Sequence, residues 1–135
     1  MEIEVLRLRP GTDLRGSIEE FAAARTLAAG FIVSAVGSLS RASLRYAGKN
    51  EAALIVRPLE IVSLSGTLSP QGCHLHASVS DDAGNVLGGH VLEGCVVRTT
   101  AEIVVGIPAD LRFSREMDPE TGYRELVVQK GARED

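Results

Sequence analysis

Only one stretch of this chain repeats its apolar residues with a helical period. Ile18, Phe21, Ala22, Leu27 and Ala28 fall roughly on one stripe, with Glu19, Glu20 and Arg25 off it, the pattern of a helix that buries a single face. The spacing predicts an amphipathic helix over about residues 14–29, with Gly30 placed as its C′ stop. Its start has two candidate caps, Asp13 and the Ser17-x-x-Glu20 capping box. Nearly everything else reads as strand. Ile3 to Arg9 largely alternates and ends in the turn Pro10-Gly11-Thr12-Asp13; further strands are expected over 31–37, 38–46, 59–68, 73–80, 85–92, 96–107 and 125–129. The polar stretch 108–122 carries Pro119 and reads as a loop or a short helix. A strand, one helix and then many strands predict an α+β fold: a curved, mostly antiparallel sheet with one main helix covering a face.

The chain has 135 residues and only 4% aromatics, so the core must be built from Val, Ile, Leu and Ala, which suits tightly packed strands. That length makes one domain over 1–135, with an ordered core of about 3–130 and a frayed tail from Gly131 to Asp135. There is no repeat, no linker and no apolar run long enough to span a membrane. The opening Met1-Glu2-Ile3-Glu4 is acidic rather than signal-like, so a cytoplasmic location is expected. Cys73 and Cys95 then read as buried free thiols.

The three histidines all lie within seventeen residues: His74, His76 and His90. A His-x-His pair in a strand puts both imidazoles on one face, because strand side chains alternate. The run Asp81-Asp82-Ala83-Gly84-Asn85 lies midway between His76 and His90. If Asp82-Ala83-Gly84 is a three-residue hairpin loop, residues i and j pair with i + j = 166, and His76 faces His90 with His74 on the diagonal. Three imidazoles on one patch suit zinc or another divalent transition metal, since three protein ligands and a water make the usual open zinc site. Two alternatives stand beside this. A two-residue Ala83-Gly84 turn, or a bulge at Gly88-Gly89, would send His90 to the other face. Alternatively, the histidines form a hydrogen-bonded surface patch. In the i + j = 166 register the odd-numbered Cys73 and Cys95 face away from the histidines.

Glu60, Arg98 and Glu102 are the candidate acid and cation partners, chosen by residue type alone. Glu102 lies in the apolar run Ala101-Glu102-Ile103-Val104-Val105, where a buried carboxylate needs a partner. It could accept a hydrogen bond from a ligand histidine, serve as an acid or base, or simply pair with Arg98. Glu60 also fits an ordinary solvated strand face. Gly37 and Gly66 read as strand bends, and Gly88-Gly89 as a bulge, a tight packing contact or a close approach to a ligand. The formal net charge is −4, there are only two lysines, and the twelve arginines are spread along the chain. That pattern argues against a generic electrostatic grip on nucleic acid. No phosphate loop and no nucleophile triad is present.

Several segments together resemble one known family. They are Gly30-Phe31-Ile32-Val33-Ser34-Ala35-Val36-Gly37-Ser38-Leu39, Leu59 to Thr67, His74-Leu75-His76, Asp82 to His90, and Arg98 to Val105. In this order and spacing they are similar to the plant- and prokaryote-conserved (PPC) domain, over about residues 3–130. The resemblance implies a compact α+β domain that assembles as a homotrimer and, in prokaryotes, stands alone. By analogy it implies a DNA or protein partner, and a regulatory role. This chain lacks the Arg-Gly-Arg-Pro core of an AT-hook, so the minor-groove contact of the plant members is missing. The His-x-His … His pattern also resembles the zinc site of acetolactate decarboxylase, where a metal held by three histidines polarises a carbonyl. Only His74, His76 and His90 match that motif, and this chain is much shorter. The two functional expectations are therefore a trimeric metal-binding module and a small zinc-dependent lyase or hydrolase that takes a small molecule at the metal.

Overall fold

The computed structural model describes residues 1–131. The elements in order are β1 (Glu2–Leu8), α1 (Leu14–Ala24), β2 (Gly30–Arg45), β3 (Ala52–Ser69), β4 (Gly72–Ser80), β5 (Val86–Val91), β6 (Val96–Ile107), β7 (Leu111–Met117) and β8 (Arg124–Lys130). Six strands form one antiparallel sheet in the order β1-β6-β2-β3-β4-β5, and β7 and β8 form a separate two-stranded ribbon. The sheet curls without closing into a barrel, but its edge strand β5 reaches back to pair with the end of β2 at Leu44–Val91 and Arg45–His90. This is the α+β architecture expected from the sequence. No helix among the described residues is long and apolar enough to cross a membrane.

The core is aliphatic, as the shortage of aromatics requires. Leu14 and Ile18 of α1 are fully buried with Ala22 against the concave face of the sheet, alongside Leu39, Leu44, Leu68, Leu75, Ile103 and Val105. Asp13, not Ser17, caps the helix: its carboxylate accepts from Gly16 N at 2.8 Å and from Gly94 N at 2.7 Å. One side chain thus satisfies an orphan helix donor and ties α1 to the β5–β6 turn.

Two expectations need correction. The helix ends at Ala24 rather than near residue 29. Thr26 adopts a left-handed conformation at φ 52°, while Leu27 N bonds Ala22 O and Thr26 N bonds Ala23 O. This pair of bonds is a Schellman stop, which places the apolar residue after the turn back on the core. Leu27 is accordingly buried, and Gly30 starts β2 instead of capping the helix. The second correction concerns 108–122, expected as loop or helix, which contains β7. Leu111 to Met117 pairs with Lys130 to Arg124, and Phe113 N donates to Ala28 O at 2.9 Å. Gly131, placed in the frayed tail, donates to Asp110 O at 2.6 Å; the rest of that tail lies outside the described residues.

Gly66 sets the closeness of β3 to β4. A Cβ there would lie 2.0 Å from His74 O, and its φ is 155°. Gly84, at φ 80° in the β4–β5 loop, has open space around it. The two should therefore respond differently to alanine. Gly66→Ala is expected to cost about 3 kcal/mol or more, because a backbone oxygen must move. Gly84→Ala should cost about 1 kcal/mol, the conformational penalty alone. Thermal midpoints of the two variants check this, and an unchanged midpoint for Gly66→Ala would refute the close approach.

Candidate metal centre

Alternation in β4 buries Cys73, Leu75, Ala77 and Val79 and leaves His74 and His76 on the opposite face. The next hairpin decides where His90 goes. Asp81 N donates to Asn85 O at 3.0 Å, and Gly84 N donates to Asp81 O at 3.0 Å. The Asp81 carboxylate accepts from Ala83 N at 3.0 Å and Asn85 N at 2.9 Å. These backbone donors, chiefly Asn85, hold the Asp81 carboxyl below its usual pKa range. The result is the three-residue loop, with Gly84 in the left-handed position that such loops require. Pairing then runs without a bulge from Ser80–Val86 to His76–His90. Gly88 and Gly89 are packing contacts: a Cβ would lie 2.8 Å from Ala77 O and 2.7 Å from Arg45 O respectively.

All three imidazoles meet on the face away from α1. Ring centroids are 4.9 Å apart for His74–His76, 5.2 Å for His74–His90 and 5.7 Å for His76–His90. The Nε2 atoms of His74 and His76 are 3.2 Å apart, and one nitrogen from each ring lies within 4.8 Å of the others. A tetrahedral zinc with bonds of about 2.0–2.1 Å separates its ligand nitrogens by about 3.3 Å. His74 and His76 already stand at that spacing, and His90 needs only a small movement, so the donor set fits a divalent ion.

The charge state fits too. Burial first, then the charges of His76 and Arg115, holds the His74 pKa below its ordinary value. Burial and then Arg45 push His90 down to about 4. Both are therefore neutral at pH 7, the form that ligates a metal. On the buried face, burial and then the Glu19 carboxylate push the Cys73 thiol up to about 12, so it is no competing thiolate ligand.

The histidines open into a cavity of about 580 Å³ that Arg45, Tyr46, Lys49, Asn50 and Tyr123 also line. A second cavity of about 400 Å³ shares Arg45, His74, His90 and Tyr123, and adds Arg15, Arg115, Arg124 and Glu125. Arg45 stands beside His90 because β5 returns to β2. Arg115 Nη2 donates to Thr67 Oγ1 at 3.0 Å, which holds the β7–β8 ribbon to the face that carries His74. From the helix, Arg15 donates to Val91 O at 3.1 Å and to Glu19 at 3.0 Å.

Glu60, Arg98 and Glu102 do not line either cavity. Glu60 is exposed, in register with Ser38 and Ser80. Glu102 is exposed as well, between Arg7 and Val36 on neighbouring strands, and Arg98 is exposed. Among the described residues no Glu102–Arg98 ion pair forms. The groups that do surround the histidines were missed for identifiable reasons. Arg45 depends on a pairing between strands far apart in sequence, while Arg115, Tyr123, Arg124 and Glu125 come from the hairpin whose first strand was read as a loop.

Comparison with known proteins agrees with this geometry at the level of family. Residues 1–107 match the Plants and Prokaryotes Conserved (PCC) domain. The bifunctional protein GlmU of Synechococcus sp. strain JA-3-3Ab is 50% identical over 132 residues, which are 98% of this chain but 21% of that protein. The chain thus spans about a fifth of this curated relative. A hypothetical protein from Salmonella enterica superposes with a TM-score of 0.93 at 40% identity, over 96% of this chain and 94% of that one. The metal-containing protein AF0104 of Archaeoglobus fulgidus does so with a TM-score of 0.80 at 32% identity, over 94% of each chain. A Staphylococcus aureus protein similar to alpha-acetolactate decarboxylase shares the fold alone, with a TM-score of 0.51 at 13% identity, over 78% of this chain and 52% of that one. With most of its length matched, and its fold followed nearly end to end by the Salmonella and Archaeoglobus structures, the chain belongs to the Plants and Prokaryotes Conserved (PCC) domain family, the family whose segments were read in its sequence as PPC.

Proposed function

We propose that this chain is an oligomeric metal-binding module in which His74, His76 and His90 hold one divalent ion, zinc by the character of the donors. The observation that carries this reading is that one ring nitrogen from each of the three imidazoles lies within 4.8 Å of the others on one hairpin. Neutral nitrogen donors suit zinc and its first-row neighbours. The metal-containing relative from Archaeoglobus fulgidus adds support. When bound, such an ion supplies a Lewis acid or an acidified water. The chain's own residues would orient a small molecule beside it: Arg45 and Arg124 by charge, Tyr123 through its phenol.

A second reading, a small zinc-dependent lyase or hydrolase, is favoured by one specific observation. The histidines line a concave cavity that also contains Arg45 and Tyr123, with Glu125 in the adjoining one. A purely structural metal would be closed off from such a space. Glu125 is then the carboxylate placed to move a proton, in preference to Glu60 or Glu102. A DNA-associated role rests on family analogy alone.

Trimeric assembly belongs to the same proposal. Ile3, Val5, Val36 and Val62 are all more than half exposed on β1, β2 and β3, apolar surface that a partner chain would cover. A reducing, cytoplasmic setting agrees with two buried unpaired thiols.

Two measurements test these statements. Elemental analysis of untagged protein, purified without chelator, should find about one zinc per chain, and His76→Ala should abolish it. No metal in either protein after zinc is added back would end the metal reading. Light scattering should give three times the chain mass of 14.3 kDa. The double variant Val5→Glu, Val36→Glu should fall to the mass of one chain. A monomeric wild type would exclude the trimer.

A further inference from the structure

The chain carries a formal net charge of −4, yet its histidine face is built of cations. Arg15, Arg45, Lys49, Arg115 and Arg124 line the two adjoining cavities, against the single carboxylate of Glu125. Arg15 is neutralised in part by Glu19 at 3.0 Å. Among the described residues, Arg45, Lys49, Arg115 and Arg124 have no carboxylate within ion-pair distance. Arg115 is steadied by the neutral hydroxyl of Thr67, so its charge is positioned without being cancelled. In an acidic protein such a concentration is not an average surface. Uncompensated guanidinium groups on concave walls attract and orient anions, and their planar fork matches carboxylate, sulfate and phosphate oxygens.

We infer that the site binds a small anion of two or more negative charges, with one oxyanion group at the histidine centre and another among Arg45, Arg115 and Arg124. The inference deepens the metal-centre reading and rests on it for where the first group sits. A monoanion would leave most of the cation excess unmatched. A nucleic acid is the less fitting partner, because these cations line cavities of small-molecule size, whereas a duplex needs an open row of contacts. Four elements cooperate to make the pocket: α1 supplies Arg15, β2 supplies Arg45, β7 supplies Arg115 and β8 supplies Arg124.

The test uses sulfate, malonate and acetate as probes, titrated calorimetrically at pH 7 and matched ionic strength. Metal-free protein is measured first, then zinc-loaded protein. Metal-free protein is expected to bind sulfate or malonate at least tenfold more tightly than acetate. Preference for sulfate would assign phosphate-type ligands, and preference for malonate would assign dicarboxylates. Arg45→Gln and Arg124→Gln should each weaken the preferred dianion about tenfold, while Arg98→Gln, away from both cavities, leaves it unchanged. Arg45→Lys, which keeps the charge but loses the fork, should fall in between. Far-ultraviolet circular dichroism of each variant confirms folding. Equal binding of acetate and the dianions, or equal loss in Arg98→Gln, would overturn the inference. So would duplex DNA binding that disappears in the same arginine variants while sulfate and malonate stay unbound. Zinc should tighten the dianion. If zinc itself does not bind, the metal centre fails, and the metal-free titration still decides the anion site.

Discussion

The parity of one turn decides whether the three histidines of this protein meet at all. Strand side chains alternate, so a hairpin loop of three residues puts His90 beside His76, and a loop of two would put it behind the sheet. The loop is held by Asp81, whose main chain closes onto Asn85 and Gly84 and whose carboxylate accepts from Ala83 and Asn85. Glycine at 84 supplies the left-handed residue at no steric cost. Once that loop is set, the rest of the register follows with no freedom left to the histidines.

Other constraints bring further groups to that point. β2 runs sixteen residues, from the end of the helix connection to Arg45, and three irregularities in its pairing with β6 lie near Val33, Ser38 and Ser40. A strand this long must twist and bend, and the bend lets its far end meet β5. Arg45 therefore stands in register with His90 although 45 residues separate them. On the inner side the same curvature wraps the sheet around Leu14 and Ile18, so the helix that fills the core also delivers Arg15 to the rim. Packing and site assembly depend on one curvature.

The sequence was most readable where neighbours along the chain determine structure. The histidine hairpin was legible in residues 73–92, with the three-residue loop and its register as one of the alternatives, since periodicity and turn chemistry are local. So were the helix α1 and the aliphatic core. Local signals failed at Thr26, where a Schellman stop was built without the usual glycine, and at Leu111 to Met117, where Arg112, Ser114, Arg115 and Glu116 leave only a short apolar alternation at Leu111 and Phe113. They also failed for the site's charged partners. Glu60 and Glu102 drew attention because a carboxylate in an apolar strand looks costly, yet both point outward to solvent. The carboxylate near the histidines, Glu125, sits in a strand with no such contrast. Residue type and spacing singled out the three histidines, whereas only tertiary pairing identified their neighbours.

The electrostatics of the site follow from the same arrangement. Burial, followed by His76 and Arg115 for His74 and by Arg45 for His90, holds both imidazoles below the ordinary histidine pKa, which favours metal ligation by leaving the nitrogen lone pairs free. Those same guanidinium charges oppose a divalent cation among the imidazoles. On the proposed reading, a ligand carrying negative charge would resolve the conflict, because it would screen the arginines from a metal while pairing with both. Metal and anion would then bind with positive coupling, each stabilising a charge distribution that is unfavourable without the other, and the coupling must be the same in either direction.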